Sequence, residues 1–275
     1  MNYRRKYLSS CLLAIAALFS AASFNAALAQ AATAPSLGSA SGFAALAGTA
    51  VTCTDSTVTG NVGVWPGNAV TQTNCPVTGT VHAADVVAKK AYGDFINAYD
   101  NLAPLNNTCD SAHTLTGTLA GEYLFPGVYC VDAVAKTGPL FLDASGDPNA
   151  VWIFLVNGAL TATNFDVFVF GGDPCNVYWW VKDAATLTTS NFQGTILAGA
   201  DITVTGGTFN GDALATAAVT LKSTTVTACQ ASGGNAKCNQ GVGNGPEGCD
   251  PGNSNNNNPS NDELGGTPGN PGRKP

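Results

Sequence analysis

Four aspartates form two pairs, Asp143 with Asp147 and Asp166 with Asp173, that could act as the acid and the base of a polysaccharide-cleaving enzyme. Glycosidases place two carboxyl groups on either side of the bond that they break. Asp147 and Asp173, however, each stand between a glycine and a proline, where aspartate commonly forms turns. We therefore expect these carboxylates to hold turns, and we predict that the protein is not an enzyme.

The other residues with catalytic potential are few. Of the two histidines, we expect His82 to cap a helix and His113 to lie in a loop, so the sequence does not favour a Ser-His-Asp hydrolase. We expect Trp152, Trp179 and Trp180, which lie in apolar runs, to pack in a core rather than to stack on sugars. The sequence shows no metal-ligand or cofactor motif, so we predict neither a metal nor a cofactor.

Cysteine usage points to disulfides. The first of the nine cysteines, Cys11, falls in a predicted leader, and the remaining eight include no C-x-x-C pair. An even number of cysteines in an exported protein favours disulfides over metal ligands. Pairing of sequence neighbours would give Cys53–Cys75, Cys109–Cys130, Cys175–Cys229 and Cys238–Cys249. Spacing alone leaves this connectivity open.

A short unit recurs at a fixed interval in the C-terminal half. Residues 187–194 (Leu-Thr-Thr-Ser-Asn-Phe-Gln-Gly) return 17 positions later as residues 204–211 (Val-Thr-Gly-Gly-Thr-Phe-Asn-Gly). A fainter copy at 160–165 lies 27 residues upstream of the first, and another begins at Leu221. Short Thr, Val, Ile, Leu and Phe runs that repeat at this interval, broken by Gly and Asn, are typical of stacked coils in a β-solenoid.

One segment has a different periodicity. From Ala84 to Leu102 apolar residues recur at three- and four-residue spacing, which predicts an amphipathic helix over about 82–103. The helix should end before Pro104, because the residue ahead of a proline resists helical geometry. At 1.5 Å per residue it would be roughly 30 Å long, enough to lie along several coils.

The two ends of the chain differ from the rest. Arg4, Arg5 and Lys6 precede an apolar run, and Ala27-Leu28-Ala29 follows it as a cleavage site, so we predict a signal peptide over 1–29. We predict one solenoid domain over 30–229 and a disordered Gly/Asn/Pro-rich tail over 230–275, with a small disulfide loop.

Charge and hydropathy exclude some partners. Loss of the three leader cations would change the formal net charge from −7 to −10, which disfavours nucleic acid and anionic membrane surfaces. No second apolar run is long enough to span a membrane. We expect a secreted protein that is extracellular, periplasmic or at the cell surface, without membrane insertion.

Several motifs, in this order, resemble the single-domain microbial ice-binding proteins over about residues 36–229. The motifs are Leu37-Gly-Ser-Ala-Ser-Gly-Phe-Ala-Ala-Leu-Ala-Gly48, Val58-Thr-Gly-Asn-Val-Gly-Val64, Gly79-Thr-Val-His-Ala-Ala-Asp85, Pro126-Gly-Val-Tyr129, Gly146-Asp-Pro-Asn-Ala-Val-Trp-Ile-Phe154 and Gly194-Thr-Ile-Leu-Ala198. The resemblance implies a mainly β fold, a right-handed discontinuous β-solenoid of triangular section in which N-terminal and C-terminal coils stack beside each other. It also implies one long α-helix packed alongside.

The family binds ice through one flat solenoid face with a loose Thr-(Ala/Gly)-x-(Thr/Asn) pattern. Residues 161–164 and 205–208 match this pattern, 188–191 match it at their ends, and 222–225 keep its last position. We expect Lys222 to interrupt the threonine column with a mobile charge at the edge of the face. Stacked strands repeat about every 4.7–4.9 Å, so threonines on successive coils can hold water in a regular array. The resemblance implies these ice-binding residues: Thr161, Thr163, Asn164, Thr188, Ser190, Asn191, Thr205, Thr208, Ser223 and Thr225.

The resemblance thus implies a secreted protein that adsorbs to an ice crystal surface and inhibits ice growth or recrystallisation. The residues leave a second hypothesis open, a cell-envelope or matrix adhesin that binds polysaccharide or a surface protein on the same scaffold. Repeated threonine also has a purely structural explanation, because threonine suits exposed strands. A flat, uncharged Thr/Asn face would favour ice binding, whereas a grooved face with exposed Trp would favour the adhesin.

Overall fold

The computed structural model describes residues 32–109 and 114–229. The predicted leader, His113, the predicted tail and its Cys238–Cys249 pair lie outside these residues and stay predictions. Within the described residues the fold consists of two sheets of parallel strands and one α-helix. No helix in these two ranges combines the length and the apolar content needed to cross a bilayer.

The first sheet contains nine parallel strands, numbered here in chain order. They are β1 (Phe43–Ala47), β4 (Asn61–Val64), β6 (Val81–Ala83), β7 (Thr114–Leu115), β9 (Gly127–Val131), β11 (Trp152–Val156), β13 (Val177–Val181), β15 (Thr195–Ala198) and β17 (Ala213–Ala215). Their spatial order is β6-β4-β1-β17-β15-β13-β11-β9-β7. Every residue of β1, β11 and β13 is buried, as expected for parallel strands that are covered on both sides.

The second sheet contains ten strands, and the chain passes back and forth between the two sheets. They are β2 (Ala50–Thr54), β3 (Thr57–Thr59), β5 (Ala69–Thr73), β8 (Tyr123–Leu124), β10 (Lys136–Asp143), β12 (Leu160–Phe170), β14 (Ala185–Gln193), β16 (Ile202–Asn210), β18 (Val219–Lys222) and β19 (Thr225–Thr227). The main order is β5-β2-β18-β16-β14-β12-β10-β8, and β19 joins β16 to β3. The alternation between sheets makes each turn of the chain one coil of a solenoid.

The two ends of the described chain meet in the middle of the stack. β17 pairs with β1, β18 with β2 and β19 with β3, all parallel. The last C-terminal coil therefore lies directly on the first N-terminal coil. This arrangement confirms the expected discontinuous solenoid.

The second sheet bends at one corner, which gives the coil three sides. Asn164 and Thr189 lie inside long strands yet have φ values of 49° and 46°, and Ser223 separates β18 from β19 with a φ of 51°. Single residues in the left-handed region turn the strand and shift its in/out alternation. We call one side of this corner the threonine face (residues 50–54, 69–73, 160–163, 185–188, 202–205 and 219–222) and the other the mixed face (57–59, 123–124, 138–143, 165–170, 190–193, 207–210 and 225–227).

The predicted helix is α1 (Val86–Leu102), which begins four residues later than expected. His82 lies in β6, and the N-cap is Asp85, whose carboxylate accepts the Ala88 N–H at 2.7 Å. The expectation that His82 caps the helix is therefore wrong. Its Nδ1 lies 2.7 Å from the Asp85 carboxylate and supports the capping residue. A second apolar cluster packs the helix on the first sheet, and it includes Ala91, Phe95, Ala98, Leu102, Leu46, Ile153, Leu155, Leu197 and Leu214.

The main core fills the inside of the coils, and disulfides and polar side chains support it. The structure confirms three of the predicted pairs, Cys53–Cys75, Cys109–Cys130 and Cys175–Cys229. Lys136 occupies an inward position near one end of the stack and is 1% exposed, with its Nζ donating to Asp132 at 2.5 Å and to the Gly117 carbonyl at 2.8 Å. The polar contacts satisfy the buried ammonium group where coil stacking stops.

Asp212 is a buried carboxyl group between the mixed face and the first sheet. Its oxygens accept the Cys229 N–H at 3.0 Å and the Thr195 hydroxyl at 3.3 Å. Burial outweighs these hydrogen bonds and raises the pKa of Asp212 from 3.8 to about 7. The folded protein therefore keeps this proton at pH values where the unfolded chain has lost it.

This difference in protonation predicts that the free energy of unfolding depends on pH. As the pH rises from about 4 to about 7, the unfolded chain releases the Asp212 proton first, so the contribution of Asp212 to the free energy of unfolding falls. Over a shift of this size the fall is about 4 kcal/mol. Asp212→Asn should therefore gain stability relative to the native protein between pH 4 and pH 8, measured by urea denaturation. Asp100→Asn, at an exposed helix carboxylate, is the matched control, and a constant Asp212→Asn difference across this range would contradict the prediction.

Candidate functional site

The threonine face carries two straight columns of outward side chains across six strands. The strands stack in the order β12-β14-β16-β18-β2-β5, and each contributes the pattern Thr-x-Thr except β18, which contributes Thr-x-Lys. The first column is Thr161, Thr186, Thr203, Thr220, Thr52 and Thr71, and the second is Thr163, Thr188, Thr205, Lys222, Thr54 and Thr73. Eleven of the twelve positions are thus threonine.

The spacing of this array follows from strand geometry. Neighbouring strands lie about 4.7–4.9 Å apart, and alternate residues along one strand lie about 6.6 Å apart. No register shift interrupts the pairing of these six strands within the described segments. On five of the six strands the side chains between the columns are buried in the core and hold the strands in register: Ala162, Leu187, Val204, Leu221 and Cys53. On the end strand β5 this position is the exposed Gln72. The array is therefore regular in two directions.

The hydroxyl groups of the array have no hydrogen-bond partner within the described part of the chain. Among the described residues, none of the eleven threonine side chains forms a hydrogen bond to another protein group. Each hydroxyl can therefore donate to and accept from water, and each β-branched side chain has a restricted χ1. The face presents hydroxyl and methyl groups whose positions are fixed before any ligand binds.

The structure distributes the predicted site residues over several surfaces. Four of them, Thr161, Thr163, Thr188 and Thr205, lie on the threonine face. Asn164 and Ser223 occupy the exposed corner, which is not the flat face that we predicted for them. Three others belong to the mixed face: Asn191, Thr208 and Thr225.

Ser190 is a clear correction, because it is 2% exposed and points inward. Its hydroxyl donates to the Thr188 carbonyl at 3.0 Å and accepts the Phe165 N–H at 3.1 Å. Simple alternation from Thr188 would have placed Ser190 outside, but the left-handed residue Thr189 at the corner reverses the alternation. Ser190 therefore holds the corner together and does not reach the surface.

The predicted alignment of the upstream repeat is also wrong. Ala162 pairs with Leu187, an offset of 25 residues, whereas the sequence comparison aligned Leu160 with Leu187 at an offset of 27. The stretch that stacks on residues 188–191 is therefore 163–166 rather than 161–164. Residues 161–164 match the sequence motif, but they occupy a different position in their coil from residues 188–191 in the next coil.

The sequence predicted Lys222 at the edge of the face. In the structure it lies in the middle of its column. Thr205 is its neighbour on one side, and Thr54 is its neighbour on the other. The sequence comparison ended at residue 226 and could not show that the N-terminal coils continue the column. Lys222 is the one charged residue among the twelve positions.

Seven threonines of the face were missed by sequence reasoning. They are Thr52, Thr54, Thr71, Thr73, Thr186, Thr203 and Thr220. A signal was present, because Ala50-Val-Thr-Cys-Thr54, Ala69-Val-Thr-Gln-Thr73 and Ala218-Val-Thr-Leu-Lys222 share the pattern Ala-Val-Thr-x-(Thr/Lys). Comparing the two ends of the chain would have found it.

The mixed face lacks this regularity. Asn191 donates through Nδ2 to Asp166 at 2.8 Å and accepts the Thr208 hydroxyl at 3.0 Å, so these polar groups bind one another between coils. Towards β8 the same face carries stacked rings, with Tyr123 to Phe141 at 5.0 Å and Phe141 to Phe168 at 5.7 Å between centroids. A carboxylate, amides and aromatic rings follow one another along this side.

The carboxylates proposed as catalytic pairs hold turns or connect coils. Asp143, Asp147 and Asp173 accept the backbone N–H two residues further on, at 2.8, 2.9 and 2.9 Å. Asp166 accepts both the backbone and side-chain N–H groups of Asn191. Trp152, Trp179 and Trp180 are buried, which confirms their assignment to the core. In the two described ranges, no three His, Cys, Asp or Glu side chains converge as a metal site.

Comparison with known proteins gives consistent matches. A family model described as Ice-binding-like matches residues 45–227. An ice-binding protein of Nostoc sp. (strain HG1) is 42% identical over 132 residues, which cover 46% of this chain and 48% of that protein. An ice-binding protein of Flavobacterium frigoris (strain PS1) is 37% identical over 141 residues, 50% of each chain. The chain matches about half the length of these curated relatives.

Solved structures match over more of their length. The crystal structure of an ice-binding protein from an Antarctic biological consortium has a TM-score of 0.66 and 32% identity, and the match covers 72% of this chain and 92% of that one. The structure from the ascomycete Antarctomyces psychrotrophicus has a TM-score of 0.65 and 34% identity, with 71% and 98% covered. The solenoid architecture is therefore shared with solved proteins across nearly their whole chains.

The corner beside the threonine face predicts a strong glycine requirement at Gly207. Its φ is 73°, and a Cβ added there would lie 2.1 Å from the carbonyl oxygen of Ser190 on the neighbouring coil. Gly207→Ala should therefore lower the free energy of unfolding by at least about 2 kcal/mol, measured by urea denaturation. Gly93→Ala on the helix surface, where an added Cβ meets nothing within 4 Å, should raise it by about 0.5–1 kcal/mol. Equal stability of the two variants would contradict the corner geometry.

Proposed function

Because the chain belongs to the Ice-binding-like family, we propose that it adsorbs to ice through the threonine face. The observation that carries the proposal is the array of two columns and six rows, with eleven threonines whose hydroxyls bind no other group in residues 32–109 and 114–229. Ice is a lattice of water, and a surface that binds it must repeat at fixed intervals in two directions. The threonine face has such a repeat, and the mixed face does not.

The array would act by holding water in place. A threonine hydroxyl can donate one hydrogen bond and accept two, and its methyl group favours water ordered around it. Since strand pairing and restricted χ1 rotation already fix the hydroxyl positions, little side-chain entropy remains to be lost on binding. Water held between neighbouring rows can then join the growing crystal as part of its lattice.

Many weak contacts on one rigid plane give tight adsorption. Each water-mediated contact is worth little by itself, but contacts on a rigid body form together and dissociate together. Buried side chains of the core and the interstrand hydrogen bonds keep the plane rigid. Adsorbed protein would then pin the crystal surface, slow its growth and inhibit recrystallisation. We expect this to happen outside the cell, after removal of the predicted leader.

The adhesin hypothesis also has an observation in its favour. Tyr123, Phe168 and Phe170 on the mixed face are 58%, 40% and 45% exposed, and exposed rings can bind sugars or apolar protein surfaces. Their geometry fits that role less well, because the rings of the column stack on one another and occupy the faces that a sugar would need. Ice binding is therefore the function that the geometry supports best.

A pair of double variants separates the two faces. Thr188→Tyr with Thr205→Tyr places bulky rings on neighbouring rows of the threonine face, which should prevent the plane from approaching ice. The concentration needed for recrystallisation inhibition should rise by at least about tenfold, which corresponds to the loss of about 1.4 kcal/mol. Recrystallisation inhibition by the oxidised protein without its leader is the measurement, and thermal unfolding checks that the variant is folded.

The matched control changes the same two strands on their other face. Gln193→Tyr with Asn210→Tyr adds the same two rings at paired positions of β14 and β16 on the mixed face. This variant should retain native activity. If both double variants lose activity equally while folded, the threonine face is not the ice-binding surface. If the native folded protein is inactive at micromolar concentration, ice binding by this chain is rejected.

A further inference from the structure

Lys222 is the single departure from threonine in the twelve-position array. It is exposed, and it separates Thr163, Thr188 and Thr205 on one side of its column from Thr54 and Thr73 on the other. The position is the junction where the last C-terminal coil stacks on the first N-terminal coil. The irregularity therefore falls near the middle of the second column, while the first column continues past it through Thr220.

The Lys222 side chain has no structural task in the described part of the chain. It forms no ion pair and no hydrogen bond to any described residue. Its backbone pairs in register with Thr205 and Thr54, a role that any strand residue could fill. Threonine at this position would have the same neighbours as the other threonines of the column. Its effect should thus be on the surface and not on the fold.

An ammonium group disturbs a water lattice in two ways. It is a strongly hydrated point charge with three donors and no acceptor, so it orders water around itself and not along the rows. It also stands on a flexible four-carbon stem, which must lose rotamer freedom if the plane is to approach a crystal. Both effects act on the hydroxyl positions of Thr205, Thr54 and Thr220 beside it.

We propose that Lys222 limits the adsorption of this protein to ice by interrupting the second threonine column of the threonine face. This inference rests on the proposed function, since it concerns the same face. It makes Lys222 a residue that weakens binding, so its replacement by threonine should increase activity. An increase is a sharper outcome than a loss, because misfolding cannot produce it.

The test compares four single variants with the native protein. Lys222→Thr completes the array and should lower the concentration for recrystallisation inhibition about two- to tenfold, the effect expected of one added hydrogen-bonding position. Lys222→Arg keeps a charged, flexible side chain and should show no gain. Lys182→Thr removes the same charge from an exposed corner outside the threonine face and should also show no gain. Thermal unfolding of each variant checks the fold, and Lys222→Ser provides a second neutral replacement.

The outcomes separate this inference from the proposed function. Higher activity of Lys222→Thr than of both Lys182→Thr and the native protein supports the inference. An active native protein with an equally active or weaker folded Lys222→Thr variant overturns it, while ice binding stands. A gain shared by Lys182→Thr would assign the effect to net charge and would also overturn it. If the native and Lys222→Thr proteins are both folded and inactive, the proposed function fails and this inference fails with it.

Discussion

Parallel hydrogen bonding between coils decides which side chains stand next to one another, and the rest of the molecule depends on it. In-register pairing places Thr161, Thr186 and Thr203 in one column because Leu160, Ala185 and Ile202 pair beside them. A slip of one residue would turn every threonine into the core and every apolar residue out to solvent. The buried apolar positions therefore fix the register, and the register in turn fixes the lattice of the surface.

The three sides of the coil have different environments. Helix α1 covers the middle of the first sheet, and its apolar cluster leaves every residue of β1, β11, β13, β15 and β17 buried. The mixed face satisfies its polar groups internally through Asp166, Asn191 and Thr208, and carries aromatic rings beyond them. Only the threonine face combines a regular repeat, hydroxyl groups without partners in the described residues and a rigid apolar backing. These features make it the side suited to a repeating ligand.

Residue patterns alone predicted the local features of the fold, whereas the stacking of N-terminal on C-terminal coils was implied only by the family resemblance. Periodicity identified the helix, and three neighbouring cysteine pairs were confirmed because each joins points that the coil stacking brings close together. The position of Ser190 was wrong because the corner is made by Thr189, a residue type that gives no hint of a left-handed conformation. The predicted alignment of 160–165 with 187–192 was wrong by two residues. A shift of two residues keeps the same side chains pointing inward and outward, so the apolar–polar alternation could not reveal the error. The central place of Lys222 depends on pairing with Thr54, which is distant in sequence and only implied by the family resemblance.

The most direct measurement of the central claim is adsorption of the native protein to a single ice crystal grown slowly in a dilute solution of a fluorescent fusion. A rigid lattice on one face predicts that the protein enters the crystal and concentrates on defined crystal planes, leaving the remaining planes dark. A folded protein that is excluded from the crystal and stays in the liquid ahead of it would contradict the account, because a surface matched to ice cannot be swept away by its growth.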